Sequence, residues 1–423
     1  MAVRTALFLN QFRRDERGAV AIIFGLTAMV MTMLAGFALD YSRVLTEYTR
    51  ISAAVDAAAL ASGKAMIDGR MTDADVREIA NTYFQKNLEN SGQGYGKLKS
   101  FEVTLDRATS GVTIDAKVEV EMTLARIAGI DSMEFPMHAS TKVDPTDVEI
   151  SLALDVTGSM APTGKIDALH RASTNLVDTL LKDEGRPNKV RVALAPYSSG
   201  VNAGDYVAAV TGNNASPCTF EREAGDDTSM SVPEAGTFLK TNGSPGIASR
   251  ATCPGARIIP LTDNKSTLMS EIATYTAGGS TAGHLGALWA TYMLQDTWGR
   301  VFAGHEPAAF GDRTKKYMVL MTDGLFNTIG GSNSGDSSPA ATRSQQIAMD
   351  TCAAARTQGI TIYTVGFKLD EIRDRRLRER AEATLRTCSG NVSSQHFDAA
   401  NEEQLVSAFD TIAEQIINLR LTN

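Results

Sequence analysis

Cysteine is scarce in this chain: four residues among 423, at Cys218, Cys253, Cys352 and Cys388, with no pair spaced as C-x-x-C. That spacing argues against a zinc ribbon or a dithiol redox motif. Histidine is equally thin, with His138, His170, His284, His305 and His396 scattered and no H-E-x-x-H. There is no G-x-S-x-G elbow and no Walker A loop, so common hydrolase and nucleotide-binding signatures are missing. Positive charge is in deficit: the formal net charge is −8, which leaves no basic footprint for nucleic acid. The composition itself is ordinary, 43% hydrophobic and 21% charged, so most of the chain can bury a core. The length points to two or three domains.

Long apolar runs are also lacking, with one exception. Residues 18–39 read GAVAIIFGLTAMVMTMLAGFAL without a charge. A helix rising about 1.5 Å per residue would just cross a hydrocarbon core of about 30 Å over that length. Arg4, Arg13, Arg14 and Arg17 precede it, and Asp40 follows. The arginine excess predicts a cytoplasmic tail over 1–17, a single transmembrane span over 18–39 and an exported C-terminal bulk. A cleaved signal peptide would have a shorter apolar region. From Asp40 to Met66 the text continues as helix, Ala-rich in SAAVDAAALASGKAM, with Tyr41, Val44, Leu45, Tyr48, Ile51, Val55, Ala58 and Leu60 expected on one apolar face. In an exported setting disulfides become favourable. Local pairing would give Cys218–Cys253 and Cys352–Cys388, one of three connectivities the sequence leaves open.

The string RRDERGAVAIIFGLTAMVMTMLAGFALDYSRV…RISAAVDAAALAS, about residues 12–66, resembles the N-terminal segment of TadE/TadG-like Flp (tight-adherence) pilus-assembly proteins. Pilin-like members carry a Glu a few positions into the apolar run, whereas Ala19 to Phe24 hold no acid here. That departure favours a retained anchor over pilin-type processing. The resemblance implies partners in the pilus-assembly machinery and a single-pass place in the inner membrane, with the C-terminal domain periplasmic or extracellular.

Between 40 and 145 we expect a helical stalk and a small α+β module. Met71 to Leu88 reads as an amphipathic helix capped by Thr72 or Asp73. FEVTLDRA, GVTIDAKVEVEMTLA and FPMHASTKV alternate apolar and polar residues as half-buried strands do, with a hairpin turn at Ser110–Gly111 and a boundary at Asp144–Pro145.

Residues 146–423 carry the chemistry. VEISLALD is a nearly continuous apolar run, as a buried parallel strand should be, and it ends in Asp155-Val156-Thr157-Gly158-Ser159. One carboxylate and two hydroxyls at alternate positions offer hard oxygen ligands to Mg²⁺. Gly158 is expected to relax the backbone between the hydroxyls. The D-x-T-x-S string resembles the metal-ion-dependent adhesion site of von Willebrand factor A domains. Two further strips match that family: Gly278-Gly279-Ser280-Thr281 before a helical pattern, and KKYMVLMTDG ending in Thr322-Asp323-Gly324, with Asp323 the matching carboxylate. The resemblance implies one ion (Mg²⁺, or Ca²⁺ or Mn²⁺) at Asp155, Thr157, Ser159, Thr281 and Asp323, with Ser280 a competitor for Thr281. It also implies a protein partner that contributes an acidic group to the metal.

Strands at about 148–154, 190–196, 317–321, 360–365 and 395–397 alternate with helices at about 166–181, 282–294, 344–358 and 402–419. That order predicts an α/β fold, a doubly wound, mainly parallel Rossmann-like sheet with its ligand site at the carboxyl ends of the strands. Residues 198–255 are an insertion on that face, and 324–340 read as a second flexible loop. His284 is expected as a satisfied helical histidine rather than a cleft residue. With no general base in view, a binding module is expected rather than an enzyme. The preferred reading is a membrane-anchored pilus-assembly protein that binds through its metal site. A surface adhesin for a host or matrix ligand is the alternative, and a metal-dependent hydrolase is a remote third.

Overall fold

In a computed structural model of the chain, the described residues are 17–421 except 68–70, 93, 108–109, 143–145, 162–163, 182–188, 213–215, 223–226, 312 and 334. The tail assigned to 1–17 lies almost wholly outside them. Two compact units divide at Asp144 and Pro145.

The first unit is organised by one 51-residue helix, α1 (Arg17–Ile67). At 1.5 Å per residue it is about 75 Å long. Its two halves meet different surroundings. From Val20 to Leu39 its large apolar side chains are exposed, and it is long and apolar enough to cross a membrane. From Ile51 to Met66 it buries Ile51, Ala54, Val55, Ala58 and Ala59. These pack with Val76, Ala80 and Phe84 of α2 (Asp73–Asn90) and with one face of a three-stranded antiparallel sheet. The small alanines thus serve close packing inside the unit. The sheet runs β1 (Gly96–Asp106), β2 (Gly111–Glu121), β3 (Ser132–Lys142) in that order. Every second residue of β2, from Val112 through Val118, points to the core. Thr72 caps α2, and Asp75 returns the bond to the Thr72 N–H at 2.8 Å.

The second unit is a mixed sheet with helices on both faces. Among the described residues eight strands take part. The order is β13 (His396–Ala399), β12 (Ile360–Phe367), β9 (Thr314–Thr322), β4 (Asp147–Asp155), β5 (Val190–Tyr197), β6 (Val201–Asn202) and β7 (Cys218–Thr219), and β8 (Ile259–Thr262) also pairs with β5. The pairs from β13 through β5 are parallel, whereas β6, β7 and β8 add antiparallel pairs at one edge. The parallel expectation therefore holds for the centre and fails at that edge, where the segment after Tyr197 turns straight back on β5.

Strand alternation sorts the core into two layers. Ile150, Leu152, Leu154, Val319, Met321, Val365 and Phe367 face one side. They meet α3 (Lys165–Leu180), α4 (Lys265–Ile272) and α8 (Glu402–Leu421). The other side presents small residues, Ala153, Ala193 and Ala195, under the bulky Trp289 and Tyr292 of α5 (Gly283–Tyr292). Small against large lets that layer fill without voids. Helices α6 (Pro339–Thr357) and α7 (Arg375–Ser389) complete it, joined by Cys352–Cys388. Cys218–Cys253 closes the 198–255 segment. The stretch expected as a flexible loop after Asp323 instead buries Leu325 and Phe326 and forms a hairpin, β10 (Thr328–Ile329) and β11 (Ser332–Asn333). Gly330 and Gly331 supply the left-handed residues of its turn.

Candidate functional site

Three loops meet at the carboxyl end of the central strands. β4 delivers Asp155, which is fully buried, and the chain then turns so that Thr157 is buried and Ser159 exposed. Asp155 Oδ1 accepts the Thr157 N–H at 2.9 Å, fixing that turn. Thr157 Oγ1 and Ser159 Oγ lie 2.8 Å apart. Ser159 Oγ donates to Asp323 Oδ1 at 2.5 Å, so the first and third strips are in direct contact. Thr322 Oγ1 donates to Asp155 Oδ2 at 2.6 Å from the end of β9.

The second strip is held by backbone. The Gly158 N–H donates to Gly279 O at 2.9 Å, and the Gly278 N–H to Val156 O at 2.9 Å. Gly279 has φ +80°, and a Cβ there would stand 2.9 Å from Ser199 Oγ. Gly158 is not left-handed; its need is proximity, since a Cβ would lie 3.1 Å from Gly279 O. This corrects the expectation that it relaxes the backbone. Thr281 lines a cavity of about 340 Å³ together with Ser159, Lys165, Asp323, Asn327 and Glu371. Ser280 is absent from that wall; its N–H donates to Ser199 Oγ at 2.7 Å. All five residues singled out in the sequence thus converge at one place.

Three residues at the site, Lys165, Tyr197 and Glu371, gave no sequence signal, and Thr322 gave one only as part of the third strip. Lys165, in the first turn of α3, donates to Asp323 Oδ2 at 3.1 Å and to Glu371 Oε2 at 2.8 Å. The Tyr197 hydroxyl donates to Met321 O at 2.9 Å and reaches Asp155 Oδ2 at 3.5 Å. Glu371 completes the set as the second partner of Lys165.

The electrostatics show a shortage of positive charge. Burial, with the Asp323 carboxylate nearby, pushes Asp155 up to about 7. Burial also raises Asp323 above the ordinary carboxylate range, against the opposing pull of Ser159 and Lys165. One ammonium is too little for two buried carboxylates, and a divalent cation would supply the difference. Among the described residues no group of three His, Cys, Asp or Glu side chains could hold an ion. The donors here are two carboxylates with hydroxyls, an oxygen set that suits Mg²⁺, Ca²⁺ or Mn²⁺ rather than a soft metal.

His284 does not reach this cavity. It is fully buried, with Nδ1 2.8 Å from Ser344 Oγ and Nε2 3.0 Å from Glu221 Oε1. The trio ties α5 and α6 to the 198–255 segment, and its enclosure leaves no room for a substrate. Burial works to raise Glu221, but His284 and the Gly330 N–H outweigh it and hold the carboxyl below its ordinary value. A lowered carboxyl contributes stability that is present above the unfolded value of 4.5 and is lost as the pH falls through the folded one. Replacing His284 with Ala strands a buried carboxylate. We expect a loss of about 3 kcal/mol in urea unfolding at neutral pH, shrinking in acid. An equal loss at both pH values would contradict this origin.

Residues 18–65 match the family model described as putative Flp pilus-assembly TadE/G-like. No curated protein matches the chain. Among solved structures, the pilus adhesin SpaC from Lactobacillus rhamnosus GG is 15% identical with a TM-score of 0.39, over 77% of this chain and 35% of that one. The chain therefore spans about a third of the length of that relative. The vWF domain of the type V pili tip protein Mfa5 from Porphyromonas gingivalis is 14% identical with a TM-score of 0.40, over 66% of this chain and 98% of that domain. Manganese-loaded TRAP protein from Plasmodium vivax is 12% identical with a TM-score of 0.31, over 70% and 76%.

Proposed function

We propose that this chain, pilus-associated through its TadE/G-like segment at 18–65, is a membrane-anchored assembly component. Its second unit captures a protein partner through one divalent cation. The observation that carries this reading is the convergence of Asp155, Thr157, Ser159, Thr281 and Asp323 beside an open cavity with two undercompensated carboxylates. Asp155 and Asp323 would bring negative charge to the ion, and Thr157, Ser159 and Thr281 neutral oxygens. An acidic group of the partner would complete the ion's coordination from the cavity side. The anchor rests on the exposed apolar half of α1, with the arginines before it setting the N-terminus in the cytoplasm.

The test is capture from an envelope fraction with the full chain in detergent. Flp pilus components should be retained in Mg²⁺ and released by chelator, and Asp155→Asn should retain none. Retention that ignores both chelator and substitution would overturn the metal-dependent reading. Protease treatment of intact cells separates the adhesin alternative: cleavage of the second unit from outside would favour it.

A further inference from the structure

The β2–β3 connection, residues 122–131, is not a plain solvent loop. Its one turn of 3-10 helix, Ala125–Ala128, presents Leu124 and Ile130 about two-fifths exposed and Ile127 at 74% exposure. Soluble loops place polar residues at such positions. The turn is locked to α1 at the end of the apolar run. Asp40, itself buried, accepts the N–H groups of Thr123, Leu124 and Ala125 at 3.2, 2.6 and 2.7 Å. Gly36 permits the approach, since a Cβ there would lie 2.9 Å from Leu124 Cβ. Between turn and helix lies an apolar cavity of about 660 Å³, walled by Met29, Met33, Phe37, Leu124 and Ile127.

We propose that residues 124–130 are a second membrane contact, a wedge seated in the leaflet that α1 leaves, with lipid acyl chains filling this cavity. The inference rests on the reading of α1 as a membrane span. Three observations favour lipid. The cavity wall is continuous with the exposed apolar surface of α1, so at that height the surrounding medium is hydrocarbon. Gly36 sits four residues before Asp40, which places Leu124 about 6 Å inside the run, the depth of an interfacial segment. The turn also satisfies its own backbone, as an apolar phase demands. Besides the three N–H groups held by Asp40, those of Met122, Ile127, Gly129 and Ile130 bond to carbonyls of the same connection. Its two charges, Arg126 inside the turn and Asp131 just after it, are exposed and pair with each other at 3.1 Å, as the headgroup boundary permits.

The experiment uses the full chain in phosphatidylcholine–phosphatidylglycerol vesicles, with tryptophan as the reporter and the parent protein subtracted. Ile127→Trp should be blue-shifted and lose about half its emission or more when the lipid is brominated on its acyl chains. Tyr83→Trp, on the exposed side of α2, should be quenched by iodide instead. Phe24→Trp reports the span itself. If Phe24→Trp is quenched by brominated lipid and Ile127→Trp is not, the wedge is wrong and the anchor stands. A blue-shifted but unquenched Ile127→Trp means that protein covers the turn, a second copy or a partner, and also overturns the proposal. If neither position is quenched, the anchor fails and the wedge with it.

Discussion

With the metal chelated, raising the pH from about 5 to about 7.5 should destabilise the second unit, and Mg²⁺ should reverse the loss. The reason is the buried carboxylate at the end of β4. The folded chain keeps a proton on Asp155 up to about 7, whereas the unfolded chain releases it near 3.8. Between those values the folded state binds more protons, so stability falls as the pH rises. Of that interval about two units lie above pH 5, so at 1.36 kcal/mol per unit the loss is about 2.5 kcal/mol. A cation bound only by the folded chain adds stability by mass action, about 2.7 kcal/mol at a hundred times its dissociation constant. Asp155→Asn removes the group raised to about 7 and a proposed ligand together. Its unfolding midpoint should vary much less across this pH range, with Asp323 the raised carboxyl that remains, and should be indifferent to Mg²⁺. Urea unfolding in chelator and in Mg²⁺ reads both effects, and a Mg²⁺ response retained by Asp155→Asn would place the ion elsewhere.

A comparable loss should follow removal of the Cys352–Cys388 bridge. It joins α6 to α7 across a separation of 36 residues, and both cysteines are fully buried. A loop of that size constrains the unfolded chain by about 4 kcal/mol. The double replacement by Ala should lower the thermal midpoint by about 10 °C for a unit of this size. The Cys218–Cys253 bridge is half-buried and should open first under a mild reductant. Alkylation followed by mass spectrometry gives the order, and earlier labelling of Cys352 and Cys388 would contradict it.

The three strips of the candidate site were legible because each ends or begins an element whose period is plain. VEISLALD and KKYMVLMT are buried on both faces and read as strands, so the acids after them fall at one edge of a sheet. The rest of the site was not legible. Lys165 looks like an ordinary helix start, and its partner Glu371 lies far along the chain, where only folding brings the two within 2.8 Å. Tyr197 lies one residue past the strand expected at 190–196, and nothing local assigns its hydroxyl to the end of β9. Helix α7 is a different case. Leu377, Ala381, Leu385 and Cys388 repeat at helical spacing and pack inward, a signal hidden by the arginines between them. The antiparallel edge, with β6 only two residues long, is set by the return of the chain after Tyr197 and by β8. Strands that short carry no period to read.

The central claim is that the three strips hold one divalent ion through Asp155. Calorimetric titration of Mg²⁺ into the detergent-solubilised full chain at neutral pH tests it most directly, beside the same titration of Asp155→Asn. The proposed site predicts one ion per parent chain, bound with release of protons because Asp155 titrates at about 7, and no binding to the variant. Equal Mg²⁺ affinity in the two proteins would contradict the claim.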